Sequence, residues 1–279
     1  MNIENWLKTP KGYMMAMLIG LTLVGALRPQ DHIGLLNAGV SVVTALVIDW
    51  AVAMIYKNKK KFPDGGIITA LIIADVLSNS TPWYIFVATT AVALLSKHLI
   101  KTGRKPIFNP AAVGLLVAIY VFSTGQSWWG SLALLPIWLI PVLIIPGIVI
   151  SIRVNKFPQV VSFLGVYFAL MLFMAIFHLG LPYDTPADAL RIPFVNSALF
   201  LAFFMLTDPP TSPASYTKQI IFGSLVAVIG SVIFANYGGL AYLLIGLLVG
   251  NLSNYTLMRV KQRKLSEVMV NNKKALLKL

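Results

Sequence analysis

Apolar residues in this chain form long continuous runs, separated by short stretches rich in Gly, Pro or charged residues. Runs of about 15–24 residues recur along most of the chain, and as helices each crosses or nearly crosses ~30 Å of hydrocarbon. Because the runs do not alternate between apolar and polar residues, they predict helices rather than barrel strands. The pattern predicts ten transmembrane segments, at residues 12–27, 33–56, 66–79, 82–100, 109–122, 131–152, 158–179, 192–206, 218–235 and 239–258.

Three of these segments, the third, fifth and eighth, are short and are bordered by Gly or Pro. Asp64-Gly65-Gly66 opens the third segment, Asn109-Pro110 opens the fifth, and Asp208-Pro209-Pro210 closes the eighth. Straight helices of this length reach only ~21–23 Å, which is too short to span a bilayer comfortably. Irregular backbone at membrane depth is tolerated where it is buried in protein or lines a cavity, so these three breaks predict a binding site.

Composition supports a membrane protein. Hydrophobic residues make up 58% of the 279 residues, charged residues make up 11%, and the mean hydropathy is +0.81, which is far from a soluble domain. We therefore expect one polytopic membrane domain over residues 1–258 and a basic cytoplasmic tail over 259–279.

Charge and cysteine content exclude several functions. The net charge is +13, but the basic residues lie in short loops and in the tail without a soluble aromatic-rich module, so no nucleic-acid partner is expected. Cysteine is absent, which excludes disulfides and Cys-ligated iron–sulfur clusters. The three histidines are scattered, and no metal site is predicted.

The positions of the basic residues predict the topology. With ten segments and a cytoplasmic N-terminus, all of the 22 Lys and Arg except Arg28 and Arg191 lie on the cytoplasmic side, as the positive-inside rule requires. This predicts a multi-pass protein of the cell inner or plasma membrane with both termini in the cytoplasm. An even number of segments also permits two inverted five-helix repeats, approximately residues 12–122 and 131–258.

Each of the three breaks has a structural and a functional interpretation. The glycines of Asp64-Gly65-Gly66 would let a ligand approach backbone N–H groups, or Asp64 simply caps the helix. Asn109 and Pro110 are a good helix start, and the Asn amide could also bond the edge of a flat polar heterocycle. Thr207 and Asp208, followed by a Pro-rich stretch, form either a turn or a rigid ligand-facing loop.

Two carboxylates lie inside apolar runs, where an ionised side chain is costly unless it faces a polar cavity. Asp75 is the better candidate for an ion pathway, because it lies near the end of a short helix. Asp49, beside Trp50, could belong to such a pathway or bond a neighbouring helix. The predicted outer loop 123–130 combines hydroxyls and Gly125 with a Trp pair that suits a membrane interface.

Taken in order along the chain, these motifs resemble a known family. The order is Asp64-Gly65-Gly66, then Lys97-His98, then Phe108-Asn109-Pro110-Ala111, and finally Phe203-Phe204-Met205 before Thr207-Asp208-Pro209. Over residues 12–258 the chain is similar to the family that contains RnfD of the Rnf-type electron transport complex and NqrB of the sodium-translocating NADH:quinone reductase. The resemblance implies ten transmembrane helices in two inverted repeats, as in ammonia and urea channels.

The resemblance also implies a flavoprotein that carries FMN and/or riboflavin. One FMN would be attached to the outer loop through its phosphate, with Ser127 of Thr124-Gly125-Gln126-Ser127 as the acceptor, although Gln126 replaces the family's Ala and the usual upstream Asp-Gly is missing. A non-covalent flavin would lie between the three broken segments. Other membrane and peripheral subunits of an electron transport complex would be the partners, and the flavin rather than a catalytic side chain would carry the chemistry.

Without the family resemblance, the residues leave two other functions open. Inverted repeats, broken helices and buried acids equally suit a solute or ion transporter or channel without a redox cofactor. A purely structural membrane subunit is the third interpretation.

Overall fold

The structure is a computed structural model that describes residues 3–26, 32–55, 63–103, 105–128, 140–180, 185, 190–239 and 241–276. It is almost entirely helical, with one hairpin of two-residue strands. The helices are α1 (Ile3–Leu7), α2 (Pro10–Gly25), α3 (His32–Ile55), α4 (Asp64–Val76), α5 (Trp83–Leu99), α6 (Pro110–Phe122), α7 (Pro141–Arg153), α8 (Phe157–Ile176), α9 (Ile192–Phe200), α10 (Tyr216–Tyr237) and α11 (Tyr242–Leu276). The antiparallel strands are β1 (Lys101–Thr102) and β2 (Lys105–Pro106).

The prediction of an all-α membrane protein is confirmed. Within the described residues, each predicted segment overlaps a different helix, in order from α2 to α11. The first part of segment 131–152 lies outside the described residues. Among the residues that the structure describes, four helical stretches are long and apolar enough to cross a membrane: Ile33–Ile55, Phe157–Ile176, Tyr216–Tyr237 and Tyr242–Val260. The chain is therefore a multi-pass membrane protein.

The three short segments are short helices in the structure as well. Helices α4 and α6 each have 13 residues. Helix α9 has nine residues and continues as a π-helical turn over Leu201–Met205. Such turns are rare and often mark functional sites.

Two details of the sequence prediction are wrong. Helix α4 ends at Val76 instead of residue 79, because Leu77 is extended and forms a β-bridge with Gln126. Asp64 does not cap α4, since Pro63 holds the cap position and Asp64 is the first helical residue. Helix α11 covers the predicted segment 239–258 from Tyr242 onward, and it continues through the basic tail to Leu276. By contrast, the Asn109 cap is confirmed, because its Oδ1 accepts a hydrogen bond from the Ala112 N–H at 3.1 Å.

The helices pack as two groups. In the first half, α3 contacts α4 and α5, α2 contacts α4, and α5 contacts α6. In the second half, α8 and α11 both pack against α10, and α7 contacts α9 and the π-turn. Contacts of α6 with α11 and of α2 with α7 join the halves. We call the end that holds residues 64–66, 109–111 and 207–215 the motif end, and the opposite end, with residues 123–128, the loop end.

Close helix contacts depend on glycine. At Gly114 of α6, a Cβ atom would lie 2.6 Å from the Thr89 carbonyl oxygen and 2.9 Å from the Ala93 Cβ of α5. At Gly165 of α8, which is exposed, a Cβ would meet no atom within 4 Å. Small residues let membrane helices approach closely, and van der Waals contacts then stabilise the pair.

We expect Gly114→Ala to destabilise the protein by about 1–3 kcal/mol, because the added methyl must push α5 and α6 apart. The matched variant Gly165→Ala should leave stability unchanged or slightly higher, since Ala favours helix. Thermal unfolding in mild detergent measures both. Equal melting temperatures for the two variants would contradict the packing described for α5 and α6.

Candidate functional site

A cavity of about 1410 Å³ opens at the motif end. It is formed by α2, α3, α4, α5, α6, the β-hairpin and the segment after the π-turn. Six predicted site residues line it: Asp49 of α3 and, from the three broken segments, Asp64, Gly65, Asn109, Pro110 and Asp208. Two other predicted residues, Gly66 and Thr207, do not line it. Thr207 is buried, and its hydroxyl donates to the Phe203 carbonyl at 2.6 Å.

The two glycines of α4 make room for side chains of neighbouring helices. A Cβ at Gly66 would lie 2.2 Å from Asp49 Oδ2, and a Cβ at Gly65 would lie 3.1 Å from Lys97 Nζ. Asp49 on α3 and Lys97 on α5 therefore both reach the first turn of α4. At Gly66 the space that we expected for a ligand is taken by the Asp49 carboxylate. This carboxylate lies where the partial positive charge of the helix favours an anion.

Charged groups of both signs surround the cavity. His98 Nε2 lies 3.2 Å from Asp49 Oδ1, so Asp49 does bond a neighbouring helix. Lys11 Nζ lies 3.8 Å from Asp64 Oδ2. The Thr211 hydroxyl donates to Asp208 Oδ2 at 2.9 Å. Thus each of the three carboxylates has a partner of its own.

Apolar and aromatic side chains form the rest of the cavity wall. Trp50 and Phe204 contribute rings, and Met14, Ile68 and Ile72 contribute aliphatic surface. An apolar cavity with a few fixed polar groups is the usual form of a small-molecule or cofactor site. The described residues contain no group of three or more His, Asp or Glu side chains that could hold a metal ion.

The last residue of the π-turn and the segment that joins it to α10, together residues 205–215, are partly buried, and amide side chains bond their backbone carbonyls. Asn109 Nδ2 donates to the Met205 carbonyl at 3.0 Å, and Gln159 Nε2 donates to the Leu206 carbonyl. Asn251 and Asn254 of α11 both donate to the Thr211 carbonyl at 3.2 Å. These bonds replace water at backbone groups that are buried inside the protein.

Asn109 is thus mainly a positioning group. Its backbone N–H donates to Asn251 Oδ1 at 2.9 Å, and its side chain caps α6 and bonds Met205. Since an amide NH₂ has two hydrogens, one remains for a ligand in the cavity.

Lys156, in the turn between α7 and α8, holds the same segment from the other side. Its side chain is buried, and Nζ donates to the carbonyls of Ser212 and Pro213. Burial lowers the pKa of Lys156 to about 8, with the Asp208 carboxylate acting in the opposite direction and Lys105 adding to the decrease. Burial likewise raises the pKa of Asp208, against the Thr211 hydrogen bond and the charges of Lys97, Lys156 and Lys11.

The remaining predicted site residues lie at the loop end. Residues 123–128 cross the C-terminal end of α4, where the Ser127 N–H donates to the Val76 carbonyl at 2.9 Å and the Ser78 N–H donates to the Gly125 carbonyl at 3.1 Å. The Ser127 hydroxyl donates to the Leu77 carbonyl at 3.1 Å and is half-buried. Thr124 is buried, and its hydroxyl has no hydrogen-bond partner among the described residues. Ser127, Thr124 and Gly125 therefore lie together at the loop end, away from the cavity.

The two acids predicted for an ion pathway do not lie together. Asp75 is near the last turn of α4, and its buried Oδ1 lies 2.9 Å from the Thr22 hydroxyl. Its Oδ2 has no hydrogen-bond partner in the described part of the chain. Asp49 faces Gly66 at the other end of α4, nine residues or ~14 Å along the helix axis.

Sequence reasoning missed the groups that hold the motifs in place. Asn251 and Asn254 lie in the predicted segment 239–258, Gln159 is the second residue of segment 158–179, and Lys156 lies just before that segment. A buried amide in an apolar run is itself a signal, because it must find a partner inside the membrane. The sequence does not show which carbonyl that partner is.

Comparison with known proteins relates the chain to one family. The profile described as the NQR2, RnfD, RnfE family matches residues 7–133 and 135–267, which is most of the chain. Among curated proteins, the D subunit of the ion-translocating oxidoreductase complex of Colwellia psychrerythraea strain 34H is 28% identical over 134 residues, 45% of this chain and 37% of that protein.

Two further relatives carry the same name. The protein of Actinobacillus succinogenes is 30% identical over 99 residues, 34% of this chain and 28% of that protein. The protein of Pseudomonas paraeruginosa is 30% identical over 138 residues, 47% of this chain and 39% of that protein. In each case the similarity spans less than half of the relative's length.

We expect Asn251→Leu to destabilise the protein by about 1–3 kcal/mol, because the buried Asn109 N–H then loses its acceptor. Asn236→Leu is the matched control, since Asn236 is exposed and bonds only within its own helix. Thermal unfolding in detergent measures stability, and limited proteolysis between residues 205 and 215 reports loosening of the segment. Equal behaviour of the two variants would show that Asn251 does not hold the motif end.

Proposed function

Because the chain belongs to the NQR2, RnfD, RnfE family, we propose that it is a flavin-binding membrane subunit of an Rnf/Nqr-like electron transport complex. The observation that carries the proposal is the cavity at the motif end, where three motifs more than 40 residues apart in the chain meet. Its volume of about 1410 Å³ exceeds the 300–1,000 Å³ typical of small-molecule sites, so an isoalloxazine ring system has room.

The residues of the cavity suit a flavin, FMN or riboflavin, because they offer an apolar wall and a polar rim. Trp50, Phe204 and Ile72 would contact the ring faces, while the free amide hydrogen of Asn109 could bond a ring edge. When bound, a flavin supplies one- and two-electron transfer, and the protein supplies depth, orientation and electrostatics. The Asp49–His98 pair also lines the cavity.

A second flavin at the loop end would give electrons a route across the membrane. We propose Ser127 as the acceptor of a phosphate-linked FMN, with Thr124 and Gly125 as neighbours. The loop lies across the C-terminal end of α4, while the cavity includes the first residues of that helix. The two sites are therefore separated by about the length of α4, ~20 Å.

Ion movement, if coupled, would use the carboxylates of the first half. Asp75 has one buried oxygen without a hydrogen-bond partner among the described residues, and such an oxygen can bind Na⁺ or a proton. Asp49 would serve the same pathway at the motif end.

The family and the helix packing also support proposals about the internal repeats, the orientation in the membrane and the partner subunits. We propose that α2–α6 and α7–α11 are inverted repeats, because α4 and α9 are both short and helix pairs α3–α5 and α8–α10 correspond in each half. The motif end would face the cytoplasm with both termini, in a cell inner or plasma membrane. Other membrane and peripheral subunits would deliver or accept the electrons.

We expect the purified chain in mild detergent to carry near-stoichiometric flavin. The substitution Ala53→Trp should reduce several-fold the amount of flavin that the protein releases on denaturation. Ala53 lines the cavity, so the indole would occupy the flavin's space. Ala51→Trp is the control, because Ala51 lies on the same helix but does not line the cavity. Absorbance and fluorescence of the denatured supernatant give the ratio. Folded wild-type protein without flavin would contradict the proposal and favour a transporter or channel.

We expect Ser127→Ala to abolish flavin fluorescence of the denatured protein band, because no hydroxyl then remains at the acceptor position. Ser123→Ala, an exposed hydroxyl of the same loop, should keep it. In-gel fluorescence before staining is the measurement. Retention of full fluorescence by Ser127→Ala would move the attachment site elsewhere.

A further inference from the structure

Lys97 lies in the last turn of α5, where it lines the cavity. Its Nζ atom is 3.1 Å from the point where a Cβ of residue 65 would be. Glycine at position 65 therefore lets this ammonium group reach the first turn of α4. A larger residue there would force the lysine to move.

The neighbouring carboxylates already have partners. Asp49 bonds His98, Asp64 pairs with Lys11, and Asp208 accepts from Thr211. Within the described chain, Lys97 makes no ion pair within 4.0 Å, although Asp49, Asp208 and Asp64 are near enough to influence it. A partly buried ammonium group usually has a hydrogen-bond acceptor. An acceptor on a molecule bound in the cavity meets this need.

The charges that line the cavity indicate whether the acceptor for Lys97 is a phosphate or a ring carbonyl of the flavin. Three lysines, Lys11, Lys97 and Lys105, line the cavity, and so do the three carboxylates. A doubly charged phosphate would meet as much negative as positive charge. A neutral ring carbonyl meets no such repulsion, and it can accept a hydrogen bond from the ammonium group.

Building on the function proposed above, we propose that the Lys97 ammonium binds the N1–C2 carbonyl edge of the flavin in the cavity and raises its reduction potential. Reduction adds negative charge at this edge of the ring. A fixed positive charge beside it stabilises the reduced form more than the neutral oxidised form. No bond to Lys97 forms or breaks, and the electrons come from the complex's own donor. Lys97 thus acts through electrostatics.

The test is a spectroelectrochemical titration of the full chain in detergent, in the Ser127→Ala background so that only the flavin of the cavity contributes. Lys97→Gln should shift the equilibrium toward the oxidised form about tenfold, which is ~30 mV for a two-electron couple. Lys97→Arg keeps the charge and should stay near the parent value. Lys101→Gln, the same substitution at an exposed position outside the cavity, should not shift it.

Two results would overturn the assignment. One is an unchanged potential in Lys97→Gln with full flavin content. The other is loss of FMN with retention of riboflavin, which would place the phosphate beside Lys97. A parent protein without flavin contradicts the proposed function itself and so is distinguishable from both.

A measurement on the unsubstituted Lys97 protein covers the case in which Lys97→Gln does not fold. Reconstitution with flavin labelled with ¹³C at C2 allows the C2 carbonyl stretch to be identified by infrared difference spectroscopy. A hydrogen bond from an ammonium group lowers this frequency relative to flavin in an aprotic solvent. A frequency equal to that of the unbonded carbonyl would rule out the contact.

Discussion

The fold depends on one requirement, that buried backbone carbonyls outside regular helix find donors without water. Residues 205–215 leave helical geometry at the π-turn, and their carbonyls bond the side chains of Asn109, Gln159, Lys156, Asn251 and Asn254. Each unmet carbonyl would be costly when it is buried inside the protein. The amides come from α6, α8 and α11, so this one segment joins both halves of the protein.

The cavity is a consequence of the same arrangement. Helices α4 and α6 begin at the motif end and α9 stops there in the π-turn, so none of the three fills the space between α2, α3 and α5. Asn109 ties the start of α6 to the π-turn, while Gly65 and Gly66 admit Lys97 and Asp49 to the start of α4. The side chains that meet here come from distant parts of the chain, and they give the cavity its mixed apolar and charged lining.

Charge inside this region is paired locally. Asp49, Asp64 and Asp208 each contact a partner from another helix or from the next turn. Such pairing makes ionisable groups tolerable near a membrane interior. Lys97 still lines the cavity. Asp75 lies at the far end of α4, away from the charged cluster.

The sequence by itself determined the helical membrane architecture and the short length of α4, α6 and α9, because continuous apolar runs and Gly or Pro breaks act locally. It also determined the Asn109 cap, whose hydrogen bond spans only three residues. Only the tertiary structure decided that Gly66 admits Asp49 rather than a ligand, that Asp49 and Asp75 are far apart, and that α11 holds Thr211. Asn251 and Asn254 lie 40 and 43 positions from Thr211, and no local pattern encodes which distant side chain meets which carbonyl.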